Sequence, residues 1–238
     1  IWAPESEDSR VILYLHGGGY LFGSARTHRV MLAHMARAAK ARVLALDYRL
    51  APEIPFPAPV EDSVSAYRWL LAEGISAKKM VIGGDSAGGG LAVAALVALR
   101  AVGEPMPAAG VCISAWTDME STGQSHTTNA ESDPSVSKER LLKIAKVYLD
   151  GKEPTPPLAS PIHADLTGLP PLLLQVGSIE VLLDDSTLLK SRAKAAGVSV
   201  EMEVWDDMPH VWHHYAPILP EARKAIGRIG EFVLEHTP

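Results

Sequence analysis

Two glycine-rich motifs in the sequence contain residues that could take part in catalysis. One of them, Gly84-Asp85-Ser86-Ala87-Gly88, is a G-x-S-x-G pattern that follows a short apolar run and opens an Ala/Leu/Val-rich stretch. That setting is typical of a strand–turn–helix elbow, where the turn is so sharp that side chains at the glycine positions would clash. We therefore predict Ser86 as a nucleophile at the end of a strand, over the positive end of the next helix. The alternatives are a glycine-rich turn with an incidental serine and a phosphate loop, which would end in Lys-Ser/Thr.

The second motif, His16-Gly17-Gly18-Gly19, could stabilise the negative charge that builds on a carbonyl oxygen during acyl transfer. Backbone N–H groups aimed at that oxygen stabilise it, and glycines let a loop approach closely. We predict donors from Gly17, Gly18 and Ala87. His16 is interpreted as a structural residue that fixes the loop by a hydrogen bond. The alternative for this loop is a flexible, hairpin-like connection.

Short apolar or β-branched runs alternate with longer helical stretches, and these elements must position the two motifs. Strands are predicted at residues 11–15, 42–48, 80–83, 108–115, 172–176 and 198–205, and helices at residues 27–39, 60–73, 88–102, 138–149, 184–196 and 220–235. Thr27 is the predicted N-cap of the first helix, and Gly74 and Gly197 are predicted to end two others. The alternation implies βαβ units and an α/β fold with a mostly parallel central sheet and helices on both faces.

Length and composition narrow the class of protein. One α/β domain commonly spans this length, so we predict a single catalytic domain over residues 1–238. The formal net charge of −6 argues against nucleic acid and anionic membrane surfaces as partners. No apolar run of about 18 residues is present, so we expect no membrane insertion. The single cysteine, Cys112, lies in an apolar run and is predicted to be a core residue. No ligand spacing indicates a metal, and no nucleotide fingerprint indicates a cofactor.

The two motifs together with several further stretches resemble the hormone-sensitive-lipase family of esterases, especially its bacterial branch. The further stretches are Asp47-Tyr-Arg-Leu-Ala-Pro-Glu53, Ser114-Ala-Trp-Thr-Asp118, and Ala159-Ser-Pro161 followed by Leu169-Pro-Pro171. The resemblance implies an α/β-hydrolase fold and a serine carboxylesterase that cleaves short- to medium-chain acyl esters through an acyl-enzyme intermediate, without a cofactor. It also implies a homodimer, and we expect a cytoplasmic location.

Members of that family usually carry a cap built largely from helices that precede the first strands of the sheet. Only about ten residues precede Val11, so the N-terminal cap is expected to be missing or reduced. Residues 117–157 are a candidate cap or loop insertion, because the stretch after Trp116 is long and rich in Ser, Thr and Asn.

A serine hydroxyl is a weak nucleophile without a base, and in this fold an acid and then a histidine follow the serine along the chain. His210, in Asp207-Met-Pro-His-Val-Trp212, stands where the family has its histidine. The acid is expected in the preceding loop, where Glu180, Asp184 and Asp185 are candidates. We prefer Glu180, although the family usually has Asp at that position, and Asp184 is the runner-up. Asp184 and Asp185 stand at the start of a predicted helix, where the helix dipole favours a carboxylate even without a catalytic role.

Residues beside the motifs are predicted to line an acyl or alcohol pocket, with core packing as the alternative for each aromatic. They are Tyr20, Phe22, Trp116, Val211 and Trp212. Two other functions are considered. One is a related hydrolase of amides, lactones or acetylated small molecules, which would use the same residues. The other is a non-catalytic ligand receptor on the same fold, which would lack the histidine that His210 supplies.

Overall fold

The computed structural model describes residues 1–2 and 7–238, and side chains only from residue 10 onward besides the first two. Its strands are β1 (Glu7–Leu15), β2 (Ala41–Leu46), β3 (Met80–Asp85), β4 (Ala109–Ile113), β5 (Leu172–Gly177) and β6 (Val200–Trp205). They form one sheet in the order β2-β1-β3-β4-β5-β6, and every neighbouring pair is parallel. The predicted strands and their parallel arrangement are therefore confirmed.

The helices follow the strands in alternation, as predicted. They are α1 (Ala25–Ala38), α2 (Ala58–Ala72), α3 (Ala87–Ala101), α4 (Ser125–Thr128), α5 (Lys138–Leu149), α6 (Leu183–Ala195) and α7 (Pro220–His236). Short 3-10 turns lie at Ala77–Lys79, Pro161–His163 and Trp212–Tyr215. The sequence did not indicate α4, since it is a single turn within the long irregular stretch after Trp116. In the described part of the chain, no helix is long and apolar enough to cross a membrane.

One predicted helix start is wrong. Ser24, and not Thr27, is the N-cap of α1. The Ser24 side chain accepts a hydrogen bond from the Thr27 N–H at 3.2 Å, and the Thr27 hydroxyl accepts one from the Ser24 N–H at 3.0 Å. This reciprocal capping box satisfies two N–H groups that a helix start otherwise leaves free, so the helix begins two residues earlier than Thr27.

The sheet buries apolar side chains on both faces, and β1 shows how. Val11, Leu13 and Leu15 face a core shared with α2, α3 and α6, whereas Ile12 and Tyr14 face a second core shared with α1 and α7. This alternation is the two-residue period of a strand, and apolar residues on both faces are what a helix-covered parallel sheet requires. Cys112 is buried in the first core, as predicted, and burial raises the pKa of its thiol to about 12.

All the strands end at the same edge because they are parallel. The loops that follow β1, β3, β4, β5 and β6 therefore meet there, and they contain the two glycine-rich motifs, Ser114, Glu180 and His210. Ligands of open α/β sheets bind at this carboxyl edge. The topology thus explains how residues up to two hundred positions apart in the sequence come together.

Candidate active site

Ser86 lies in the turn between β3 and α3, with a strained backbone at φ 54° and ψ −123°. Its N–H donates to the Ile113 carbonyl at 2.8 Å, which ties the turn to the neighbouring strand. A Cβ on Gly84 would come within 2.2 Å of the Gly88 carbonyl oxygen, and one on Gly88 within 2.0 Å of the Leu15 carbonyl oxygen. The two flanking glycines are therefore required by space, as the elbow prediction expected.

His210 connects Ser86 to Glu180. The Nε2 atom of His210 lies 2.9 Å from the Ser86 Oγ, and its Nδ1 lies 2.8 Å from the Glu180 Oε2. An ionised carboxylate can only accept, so the Nδ1 carries the proton and the Nε2 is free to accept the serine proton. Burial lowers the pKa of His210, but the hydrogen bond and charge of Glu180 outweigh it and hold that pKa above its ordinary value. The arrangement is that of a nucleophile, a base and an orienting acid.

The glycine loop, residues 16–19, differs from the prediction in one of its oxyanion donors. The Gly17 N–H donates to the Asp85 Oδ1 at 3.0 Å, so it is not available to a substrate oxygen and the prediction for Gly17 is wrong. Gly18 and Gly19 both have positive φ, 123° and 62°. Within the described residues, the N–H groups of Gly18, Gly19 and Ala87 have no acceptor. The free donors are thus shifted by one position along the loop, because the first glycine anchors it.

A cavity of about 580 Å³ opens beside Ser86. Of the predicted pocket residues, Phe22, Trp116 and Val211 line it. The predictions for Tyr20 and Trp212 are wrong, because both side chains pack in the core. Tyr20 stacks on Tyr148 with ring centroids 3.8 Å apart, and Trp212 is fully buried against Trp205.

Comparison with known proteins agrees with this geometry. The alpha/beta hydrolase fold family matches residues 12–214. The chain belongs to that family. An acetyl-hydrolase of Streptomyces hygroscopicus is 53% identical over 230 residues, which cover 97% of this chain and 77% of that protein. An esterase of Acinetobacter venetianus is 36% identical, over 96% of this chain and 76% of its own length.

Solved structures narrow the family further. An esterase of the bacterial hormone-sensitive lipase family superimposes with a TM-score of 0.99 at 68% identity, covering all of this chain and 80% of its own. A hormone-sensitive lipase from a metagenome library superimposes with a TM-score of 0.97 at 43% identity, covering all of this chain and 80% of its own. The predicted membership of the hormone-sensitive lipase family is confirmed, and with it the class of carboxylic-ester hydrolase.

In this family member, Ser114 is a site residue that the sequence analysis did not single out. Its hydroxyl donates to the Glu180 Oε1 at 2.7 Å and accepts the Val211 N–H at 3.2 Å. The Gly177 N–H donates to the same carboxylate oxygen at 2.7 Å. Ser114 and Val211 both have positive φ, 47° and 49°, which non-glycine residues rarely adopt. The signal was present in the Ser114-Ala-Trp-Thr-Asp118 stretch, but a motif does not say which of its residues contacts the acid.

The two other candidate acids have different partners. Asp184 accepts the Ser125 N–H at 2.8 Å, and Asp185 accepts the Thr117 N–H at 2.7 Å and the Asp118 N–H at 3.0 Å. Both carboxylates thus hold residues 117–125 against the start of α6. Glu180 is the candidate that contacts His210.

Asp85, beside the nucleophile in the elbow, links three elements. Its Oδ1 accepts the Tyr14 hydroxyl at 2.9 Å as well as the Gly17 N–H, and its Oδ2 lies 3.2 Å from the Nε2 of His28. Burial raises the pKa of Asp85, but the hydrogen bond and charge of His28 outweigh it and bring that pKa to about 2. The glycine loop is therefore held by a buried, ionised carboxylate. As expected, His16 also holds the loop, with its Nδ1 2.8 Å from the Gly17 carbonyl oxygen.

The apolar wall of the cavity comes largely from α5, which the sequence analysis left out of the pocket. Val136 precedes the helix, and Leu141 and Ile144 lie on it. A Cβ added to Gly19 would lie 3.0 Å from the Ile144 side chain, so the helix packs directly on the glycine loop. An amphipathic helix pattern predicts an apolar face but not which surface it covers.

Proposed function

We propose that this carboxylic-ester hydrolase cleaves short- to medium-chain acyl esters with Ser86 as nucleophile, His210 as base and Glu180 as orienting acid. The observation that supports it is the continuous hydrogen-bond chain from the Ser86 Oγ through His210 to the Glu180 Oε2, at 2.9 and 2.8 Å. The cavity of about 580 Å³ beside Ser86 supports a substrate with a modest apolar acyl group.

The reaction follows from these atoms. The Ser86 Oγ attacks the ester carbonyl carbon while the Nε2 of His210 takes its proton. The N–H groups of Gly18, Gly19 and Ala87 stabilise the negative oxygen that forms, and each such donor is worth about 10²–10³ in rate. His210 then gives the proton to the leaving alcohol, which leaves an acyl group on Ser86. Water, deprotonated by His210, attacks the acyl carbonyl and releases the acid, and the proton returns to Ser86.

The remaining expectations belong to this proposal. Residues 1–238 act as one catalytic domain, and the stretch 117–157 contributes a cavity wall through α5. Phe22, Trp116 and Val211 contact the acyl or alcohol group. A cytoplasmic location and a homodimer stay predictions, as does the absence of nucleic-acid partners.

The test is hydrolysis of p-nitrophenyl esters over a graded series of acyl lengths. Ser86→Ala is expected to lower kcat by about 10⁴-fold or more, because a triad without its nucleophile retains only the binding and oxyanion contributions. Ser63→Ala is the control for the same change of side chain, since the buried Ser63 hydroxyl donates to the Pro59 carbonyl in α2 and does not line the cavity. Full activity of Ser86→Ala would contradict the proposal.

A second candidate is the removal of acetyl groups from a small molecule. The 53% identity to a protein named acetyl-hydrolase favours it. It uses the same residues, so the acyl series separates the two: kcat/KM highest for acetate and falling steeply with length supports deacetylation. A maximum at butyrate or hexanoate supports the broader esterase.

A further inference from the structure

Three side chains on the wall of the catalytic cavity take no chemical step in the proposed ester hydrolysis, although Asp85 also anchors the glycine loop. His28 comes from α1, Asp85 from the end of β3, and His214 from the 3-10 turn after His210. All three line the same cavity as Ser86. Their potential ligand atoms lie within 4.8 Å of one another. Two imidazoles and one carboxylate are the donor set that catalytic zinc sites often use.

His28 presents its Nε2 to this cluster. Its other nitrogen, Nδ1, lies 2.8 Å from the Thr27 Oγ1 and 3.1 Å from the Ser24 carbonyl oxygen. With the Thr27 hydroxyl proton donated to the Ser24 carbonyl at 2.8 Å, the Nδ1 donates a proton of its own. The Nε2 then faces the Asp85 Oδ2 at 3.2 Å, and between two lone pairs a proton or a metal cation is required. Metal-binding histidines commonly donate their outer N–H to a backbone carbonyl in this way.

Asp85 holds the glycine loop with one oxygen and faces His28 with both. Oδ1 accepts the Tyr14 hydroxyl and the Gly17 N–H, and both oxygens lie 3.2 Å from the His28 Nε2. The carboxylate is thus oriented from behind by two donors, as the ligating carboxylates of metal sites are. Oδ2 remains free to bind a cation without releasing the glycine loop.

His214 completes the set from the solvent side. Its ring meets the His28 ring edge-on with centroids 4.8 Å apart, and it is exposed. Within the described residues, its ring nitrogens make no hydrogen bond, so either can turn toward the other two ligands.

We propose that His28, Asp85 and His214 form a Zn²⁺ site whose occupancy inhibits hydrolysis. Imidazole ligands select zinc and neighbouring transition metals over Mg²⁺ and Ca²⁺, which prefer oxygen. A bound ion with its water would occupy cavity space beside Ser86 that the ester needs. The inhibition depends on the proposed esterase function, whereas the binding of the ion does not. The site escaped the sequence analysis because its members lie 57 and 129 positions apart.

The test uses the whole chain, freed of metal by a chelator, and titrates it with ZnCl₂ in a calorimeter. His214→Gln is the principal variant, because an exposed side chain is replaced without loss of core packing. We expect it to weaken Zn²⁺ binding by at least about tenfold, since removal of a ligand costs more than the 10–100-fold of an outer partner. His163→Gln is the matched control, because His163 is also exposed and belongs to a second cluster, with Asp118 and Glu120, that does not line the cavity.

Two further readouts complete the test. Co²⁺ in place of Zn²⁺ should give the visible absorption of a four-coordinate site in the wild type and lose it in His214→Gln. With p-nitrophenyl butyrate, the Zn²⁺ concentration that halves the rate should match the calorimetric Kd and rise with it in His214→Gln. Equal Zn²⁺ affinity of wild type and His214→Gln, or a loss seen in His163→Gln instead, would overturn the site. Binding at the site without a change in rate would overturn the inhibitory role.

Discussion

Two carboxylate–histidine pairs flank Ser86, and their carboxylates are built alike. Glu180 pairs with His210, and Asp85 with His28. Both carboxylates are at most 2% exposed. On each, one oxygen accepts a backbone N–H and a hydroxyl: Gly177 and Ser114 for Glu180, and Gly17 and Tyr14 for Asp85. The other Glu180 oxygen faces His210 at 2.8 Å, whereas both Asp85 oxygens lie 3.2 Å from the His28 Nε2.

The difference lies in the second nitrogen of each histidine. That of His210 meets the Ser86 Oγ, whereas that of His28 meets the Ser24 carbonyl and the Thr27 hydroxyl of its own helix. The Glu180–His210 pair can therefore move a proton to and from a nucleophile, and the Asp85–His28 pair cannot. Burial and carboxylate pairing are shared by both, so neither identifies a catalytic pair. The element that carries the histidine distinguishes the two pairs. His210 lies on a loop that places its Nε2 beside the nucleophile, whereas His28 lies on a helix and its Nδ1 contacts the start of that same helix.

The largest expected contrast comes from neutralising each carboxylate. Glu180→Gln should lower kcat by about 10⁴-fold, because an amide favours the wrong His210 tautomer and cannot stabilise the imidazolium. Asp85→Asn should lower kcat by only about tenfold, since the amide oxygen still accepts both Tyr14 and Gly17 and only the fine position of the oxyanion loop changes. Steady-state kinetics with one p-nitrophenyl ester measures both.

Asp184→Asn is the control for the assignment of the acid. It weakens a hydrogen bond to the Ser125 N–H, so we expect about 1 kcal/mol less stability to urea and an unchanged kcat. If Asp184→Asn abolished turnover while Glu180→Gln did not, the roles of the two carboxylates would have to be exchanged.

These contacts show which features of the site could be predicted from the sequence and which could not. The contact between Ser86 and His210 was predictable because the elbow has a local steric signature and, in the family that the sequence resembles, the histidine follows the serine in a known chain order. Gly17 was assigned wrongly because its partner, Asp85, lies 68 positions away, and no local pattern says which N–H of a glycine run is already used. Tyr20 and Trp212 were misassigned for a related reason: an aromatic beside a motif can turn into the core, and the direction is set by tertiary packing.

The pH dependence of kcat/KM should separate the two pairs as well. The base form of His210 is neutral, so activity is lost as pH falls through the His210 pKa, which lies above the ordinary value of about 6.5. Glu180 holds that pKa up, so Glu180→Gln should move the acid limb to lower pH. Asp85 raises the pKa only through its more distant charge, so Asp85→Asn should move the limb less. An equal shift in both variants would mean that charge, and not the direct hydrogen bond, controls His210.

The smallest expected effects on kcat come from removing the two hydroxyls that donate to these carboxylates, those of Ser114 and Tyr14. Ser114→Gly removes a donor from Glu180, while glycine accepts the positive φ without strain. A hydrogen bond to a charged group is worth about 1.5–3 kcal/mol, so kcat should fall by about tenfold. KM should stay nearly unchanged because Ser114 is buried and does not line the cavity.

Tyr14→Phe removes the matching donor from Asp85 and should change kcat by less than about threefold, because the Gly17 N–H still binds that carboxylate.

Ser121→Gly separates the lost hydroxyl from the relieved backbone. Ser121 is equally buried and has a φ of 52°, but within the described residues its hydroxyl has no hydrogen-bond partner. Both glycine variants relieve a left-handed serine, so a change in melting temperature common to both reports the backbone. A fall in kcat confined to Ser114→Gly reports the hydroxyl that positions Glu180. If Ser121→Gly lost as much activity as Ser114→Gly, the Ser114 hydroxyl would have no special part in holding the acid.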